Sequence, residues 1–284
     1  MTPLILVLGL AVAISAAARS TWSPCGLSML SSLTPLSERG RGHRYHTTVA
    51  WFIAGGLVGG CIFGMSAALL AVGVRALAPS SEIVLATAAL AALVAVASDL
   101  EMFGFRLPVH HRQVNERWLD QFRPWVYGFG FGIQIGTGLA TYIMTAALYL
   151  LLVLAVLSQN AAIAVVLGCI FGLVRGLAVL LGRSITDPDS LRSFHRRFNS
   201  IGPRIRMLTV AVEGGCLFAC VTALWIPALL ALSLGAAAGA CIAMTHAGGR
   251  LRSLSAPEER VTAAAPAGAR RMAPQEVRNG EFST

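Results

Sequence analysis

Long apolar runs separated by short arginine-bearing segments organise this chain. A helix that crosses a bilayer needs about 20 consecutive, mostly apolar residues. Seven stretches qualify: 3–35, 48–77, 83–105, 125–157, 161–181, 207–225 and 226–246. The pattern predicts an all-α integral membrane fold of about seven transmembrane helices over residues 1–247. The first and fourth stretches are longer than one crossing requires. The sixth and seventh are separated only by Trp225-Ile226-Pro227. From Gly248 the chain turns polar, rich in Ala, Pro and Arg and without an apolar face, so 248–284 reads as a disordered basic cytoplasmic tail. Residues 1–20 resemble a secretion signal but lack a positively charged start, and they are expected to stay as the first span.

The charges orient these spans. Every one of the 22 basic residues is arginine, and all but Arg19, Arg75 and Arg175 fall after the first, third and fifth spans or in the tail. Positive residues stay on the cytoplasmic side, so the chain is expected N-out and C-in, as a multi-pass protein of the cell membrane. Apolar residues make up 56% of the 284 and charged ones 12%, with a mean hydropathy of +0.70. That apolar excess needs lipid to face. The net charge of +9 therefore reflects topology and not a nucleic-acid partner. The absence of lysine excludes P-loop, Schiff-base and kinase-type lysine chemistry. No CxxC, HExxH or calcium loop is present, so no cofactor or metal is expected. His43, His46, His110, His111 and His195 are expected as loop histidines without a site. Whether the protein turns over a substrate, and its oligomeric state, are not legible.

One pentapeptide occurs twice, as Gly60-Cys61-Ile62-Phe63-Gly64 and Gly168-Cys169-Ile170-Phe171-Gly172. Small residues lie at every fourth position around each copy, a stripe along which a neighbouring backbone approaches closely. Cys25-Gly26-Leu27-Ser28 aligns in the same sense with Thr137-Gly138-Leu139-Ala140. The spacing predicts two inverted three-helix repeats, about 3–105 and 125–225, followed by one extra helix at 226–246. Such repeats place a functional site at their interface, on broken helices.

Ser23-Pro24-Cys25 interrupts the first span. Proline ends the helix and serine suits the cap of a new one, which puts Cys25 in a first turn with Arg19 upstream. The helix dipole and Arg19 favour a thiolate there while burial opposes it, so Cys25 reads either as a reactive thiol or as a structural cysteine at a kink. Cys61 and Cys169 occupy equivalent repeat positions, as weaker thiol candidates or as small packing residues. Arg175 and Glu213 are ionisable residues within spans, costly to insert and so candidate site residues. Their similar depth predicts a pair across spans five and six, with snorkelling of Arg175 to the headgroups as the alternative.

The Ser-Pro-Cys element with Leu27 and Pro35, together with the two inverted repeats, resembles the CcdA/DsbD transmembrane proteins of the wider LysE-like group. The likeness is strongest over 20–65, and the repeat pattern carries it to about 180. It implies a relay of reducing equivalents from cytoplasmic thioredoxin-like proteins to extracytoplasmic thiols, through one cysteine in the first span and one in the fourth. Only Cys25 matches that pair. Thr137, within Gly136-Thr137-Gly138, stands at the fourth-span position, so a relay would need Cys61, Cys169 or mixed disulfides with partner proteins.

Two functions follow as expectations. One is a membrane thiol–disulfide relay through Cys25, with membrane lipid and thioredoxin-like thiol proteins as partners. The alternative is a small-solute transporter or exporter of the LysE-like group with its site at the broken helices of spans one and four, at Arg19, Ser23, Pro24, Gly136, Thr137 and Gly138. A weaker third is a membrane scaffold or assembly factor without turnover.

Overall fold

The computed structural model describes residues 2–107 and 118–254, with residues 227–254 described by backbone alone. The described chain divides into two units between Leu230 and Ala231. The described residues are helical, with no strand among them. In order come α1 (Thr2–Thr21), α2 (Pro24–Ser32), α3 (Pro35–Gly40), α4 (Tyr45–Ala76), α5 (Ser81–Asp99), α6 (Trp118–Gln121), α7 (Pro124–Gly136), α8 (Ala147–Leu157), α9 (Ala161–Leu177) and α10 (Pro188–Leu254). Short 3-10 turns follow α5 at Met102–Gly104 and α9 at Ala178–Ser184.

Five helices are long and apolar enough to cross a membrane: Pro3–Thr21, Tyr45–Ala76, Ser81–Asp99, Ala161–Ser184 and Pro188–Ile226. Their outward faces carry bare apolar side chains such as Leu69, Ile83, Leu90, Phe218 and Trp225. A surface of that kind suits lipid and not water.

The other long apolar stretches behave differently from single crossings. Residues 3–35 divide into α1 and α2 because Pro24 cannot donate into the preceding turn. Residues 125–157, expected as one span, form α7 and α8 with a non-helical segment between them. The expected boundary at Trp225-Ile226-Pro227 is helical throughout; a proline removes one backbone hydrogen bond, which a membrane helix absorbs. The side chains of the expected seventh span, the tail beyond Leu254, and the loop residues His110, His111, Arg112 and Arg117 lie outside the description.

Helix starts follow the local sequence. Ser80 Oγ accepts from Ile83 N at 3.3 Å, and Asn160 Oδ1 accepts from Ala162 N at 3.0 Å. Asp187 Oδ1 accepts from Ser190 N at 2.8 Å and from Asp189 N at 3.0 Å at the start of α10. These bonds, the one from Ser190 first, hold the Asp187 carboxyl below its ordinary value. A depressed carboxyl stabilises the fold above its unfolded pKa, and that contribution disappears as pH falls through the lower folded value. Asp187→Ala should therefore fray the first turn of α10 at neutral pH, read as faster amide exchange at 189–192. The difference from the parent should narrow in strong acid; equal exchange at neutral pH would refute the cap.

The core is built on α4, which packs against both α7 and α9. Glycine permits both contacts. A Cβ on Gly60 would lie 2.4 Å from Gly168 O, and one on Gly172 would lie 2.3 Å from Gly56 O. On the α7 side, a Cβ on Gly55 would sit 2.2 Å from Phe129 O, and one on Gly136 2.2 Å from Gly56 O. The two pentapeptides thus meet across the α4–α9 crossing, with Phe63 and Phe171 centroids 5.8 Å apart. α1, α5 and α8 complete the core through buried Val12, Ala16, Ala88, Leu151 and Leu154.

Candidate functional site at the helix breaks

α1 ends at Thr21, and Ser23, in extended conformation, caps α2 by accepting from Gly26 N at 3.1 Å. Pro24 occupies the first turn, where its missing N–H costs nothing. Gly26 is required, since a Cβ there would lie 2.1 Å from Thr21 O. Trp22 anchors the break to α10: its indole N–H donates to Phe198 O at 2.7 Å, and its ring stacks on Phe198 at 4.4 Å. Ser31 Oγ and His195 Nε2, 2.9 Å apart, add a second tie. Cys25 is 2% exposed.

The second break begins after Gly136. Thr137 closes α7, and Gly138 takes a left-handed φ of +68° beside the Phe171 ring. The chain stays non-helical until α8, whose first amides are held from another element. Asp99 of α5 accepts from Ala146 N at 2.7 Å and from the Thr145 hydroxyl. A carboxylate at a helix N-terminus satisfies orphan donors and complements the dipole.

Arg175 reaches into this second break from α9. It is 3% exposed; Nη1 donates to Ile135 O at 2.8 Å and Nη2 to Thr141 Oγ1 at 3.5 Å. The guanidinium lies 5.9 Å from the Phe171 centroid. It thus caps the carbonyl end of α7, the negative pole of that helix. This corrects the expected Arg175–Glu213 pair. Glu213 is fully buried on α10, and its carboxyl oxygens find no hydrogen-bond partner among the described residues. The broken end of α7 supplies acceptors that depth along the chain does not reveal.

A cavity of about 310 Å³ opens beside the second break, walled by α1, α5, α10 and the segment before α8. Arg206 donates to Asp99 O at 2.6 Å and to Glu101 Oε1 at 3.0 Å, and Arg106 pairs with Glu101. Arg106, and then Arg206, hold the Glu101 carboxyl below the usual range, and Glu101 in turn raises Arg106.

Sequence reasoning missed a cluster centred on α3. Glu38 is fully buried and accepts from Thr48 Oγ1 at 2.6 Å, Tyr127 Oη at 2.9 Å and Arg41 Nη1 at 3.2 Å. His43 Nδ1 lies 3.3 Å from Tyr127 Oη. Glu38 is an acid among Arg39, Arg41 and Arg44, and that lone opposite charge was the available signal. Cys61 and Cys169 sulfurs lie 2.9 Å apart at the α4–α9 crossing. Among the described residues no group of three or more His, Cys, Asp or Glu side chains is arranged to hold a metal ion.

Broken helices, polar groups buried at the breaks and five long apolar helices define a polytopic, all-helical protein of the membrane-spanning class. The chain is 35% identical over 179 residues to the methylamine utilization protein MauF of Paracoccus versutus, covering 61% of this chain and 64% of that protein. With MauF of Paracoccus denitrificans it shares 33% over 193 residues, 66% of this chain and 67% of the relative. MauF of Methylorubrum extorquens is 30% identical over 164 residues, 56% of each chain. The chain belongs to the MauF family of methylamine utilization proteins. It spans between 56% and 67% of the length of these relatives. No family model and no solved structure matches it.

These relatives correct the CcdA/DsbD resemblance, and with it the thiol–disulfide relay, the cytochrome c biogenesis association and the LysE-like transporter alternative. The likeness rested on Ser23-Pro24-Cys25. Serine as cap and proline in the first turn are what any helix restarting after a break requires, so the element reports local geometry and not descent. The fourth-span position holds Thr137, which closes α7 through its backbone and bonds Gln134 O through its hydroxyl at 2.9 Å.

Proposed function

We propose that this protein serves methylamine utilization as a multi-pass component of the cell membrane, acting as a fixed platform on which that system is assembled or anchored. Family membership supplies the pathway. The platform reading is carried by the glycine-mediated contact of α4 with α7 and α9, where backbones touch and little room is left for one half to slide on the other. The finer topology belongs to the same proposal: N-out and C-in, with residues up to 105 and from 125 to 225 as inverted repeats and a further span after Pro227. The repeated pentapeptides facing one another across α4 and α9 support the repeat, and the arginine distribution supports the orientation.

Deleting the gene in its host should abolish growth on methylamine and leave growth on other carbon and nitrogen sources unchanged. Labelled methylamine should still enter the cells, whereas extracts should no longer oxidise it. Normal growth on methylamine would overturn the pathway assignment. Lost uptake with normal oxidation in extracts would overturn the platform reading.

A further inference from the structure

We propose that the cavity between α1, α5, α10 and the segment preceding α8 is an anion site that takes a phosphate group, supplied by an anionic phospholipid headgroup at the membrane surface. The proposal stands independently of the part the protein plays in methylamine use. The cavity, about 310 Å³, is lined by three guanidinium groups, Arg19, Arg106 and Arg206, and two carboxylates, Asp99 and Glu101. Among the described residues one positive charge is therefore left over on its wall.

The hydrogen bonds show which charge that is. Both Asp99 oxygens are engaged by Thr145 and Ala146 at the start of α8. Glu101 is engaged by Arg106 and Arg206, and Arg206 also grips the Asp99 carbonyl. The Arg19 guanidinium makes no hydrogen bond or ion pair with a described residue; Asp99 and Arg206 act on it only through space. It lines the cavity from the end of α1, with the Tyr142 side of the second break also in the wall.

Two consequences set the ligand class. A methylammonium ion would meet carboxylates already committed to other donors and a surplus guanidinium, so the cavity disfavours a cation. An anion would meet a free planar fork of donors, the geometry suited to phosphate oxygens. Basic pockets between membrane helices on the cytoplasmic side are placed to receive anionic headgroups, and the arginine distribution puts these loops on that side.

The test uses the full chain in nanodiscs of phosphatidylcholine containing a small share of phosphatidylglycerol. Native mass spectrometry should show one phosphatidylglycerol retained by the parent, with retention reduced about tenfold in Arg19→Gln, the loss of one charge-assisted contact. Arg19→Lys should keep part of it, and Arg75→Gln, outside the cavity, should keep all of it. A parallel thermal-unfolding titration with inorganic phosphate in pure phosphatidylcholine distinguishes the sources. No shift supports the headgroup, whereas a shift seen in the parent and absent in Arg19→Gln supports the anion site but overturns the lipid as its source. Equal phosphatidylglycerol retention by parent and Arg19→Gln, with no phosphate shift, overturns the site. If Arg19→Gln does not fold, the parent alone decides: no preference for phosphatidylglycerol over phosphatidylcholine and no phosphate shift would overturn it.

Discussion

Glu38→Ala should destabilise the protein by about 3 kcal/mol, the lower part of the range for removing one partner of a buried ion pair. The substitution strands three donors at once. Thr48 Oγ1 and Tyr127 Oη lose their acceptor in a buried setting, and Arg41 loses its counter-charge. The lower figure applies because Arg41 is a quarter exposed, so water takes over part of its solvation. Glu38→Gln keeps the shape and one acceptor oxygen and should cost about half as much. Scanning fluorimetry of the purified protein in detergent reads both, and tryptophan emission reports the α7 end through Trp125. Unchanged melting in Glu38→Ala would show that the loop after α2 is not held by this cluster. The cluster joins α3, α4 and α7, so its loss should loosen the loop and the start of both helices together.

The second large effect concerns the α4–α9 crossing, where the sign of a glycine-to-alanine change should depend on position. Gly60→Ala places a methyl 2.4 Å from Gly168 O and 2.8 Å from the Gly172 Cα. Both neighbours are backbone, so no side chain can swing aside and the helices must separate. Overpacking of this kind costs about 1–3 kcal/mol. Gly73, on the same helix, has nothing within 4 Å of its would-be Cβ. Gly73→Ala should instead stabilise by about 0.5–1 kcal/mol, because alanine loses less backbone freedom than glycine in a helix. Opposite shifts in melting temperature would support the packing account. A Gly60→Ala protein that melts like Gly73→Ala would mean the helices do not touch there.

Methylamine-dependent growth and phosphatidylglycerol retention address different properties. A chain that fails the first and passes the second would still have an anion site but would lose its proposed pathway. The proposed pathway comes from the relatives' name, whereas the anion site comes from this chain's own residues.

The comparison between sequence and structure is clearest at the two breaks. Ser23-Pro24 ends one helix and begins another by chemistry carried in adjacent residues, so the first break was legible. The second was expected at Gly136-Thr137-Gly138 from its alignment with the first, but those residues only permit a turn and do not name what holds it. What makes the chain leave helical geometry and restart at α8 is Asp99, distant in sequence, capping the new helix, and Arg175 capping the old one. Arg175 itself stood out as a charge within an apolar run, but its partner did not. Depth along the chain suggested Glu213; the guanidinium instead bonds the carbonyl end of α7 at Ile135.

By itself the sequence determined that this is an all-helical chain with helices long and apolar enough to cross a membrane, since length and hydropathy are additive along the chain. It also determined the glycine stripes and the helix caps, which depend on neighbours a few residues away. Only the tertiary structure decided which stripe meets which, which side chains hold the break within 125–157, that Glu38 is buried, and that Arg19 alone among the cavity arginines is left without an ion pair to a described residue. Those outcomes depend on which backbone donors and acceptors come together from distant segments, and no local pattern encodes that choice.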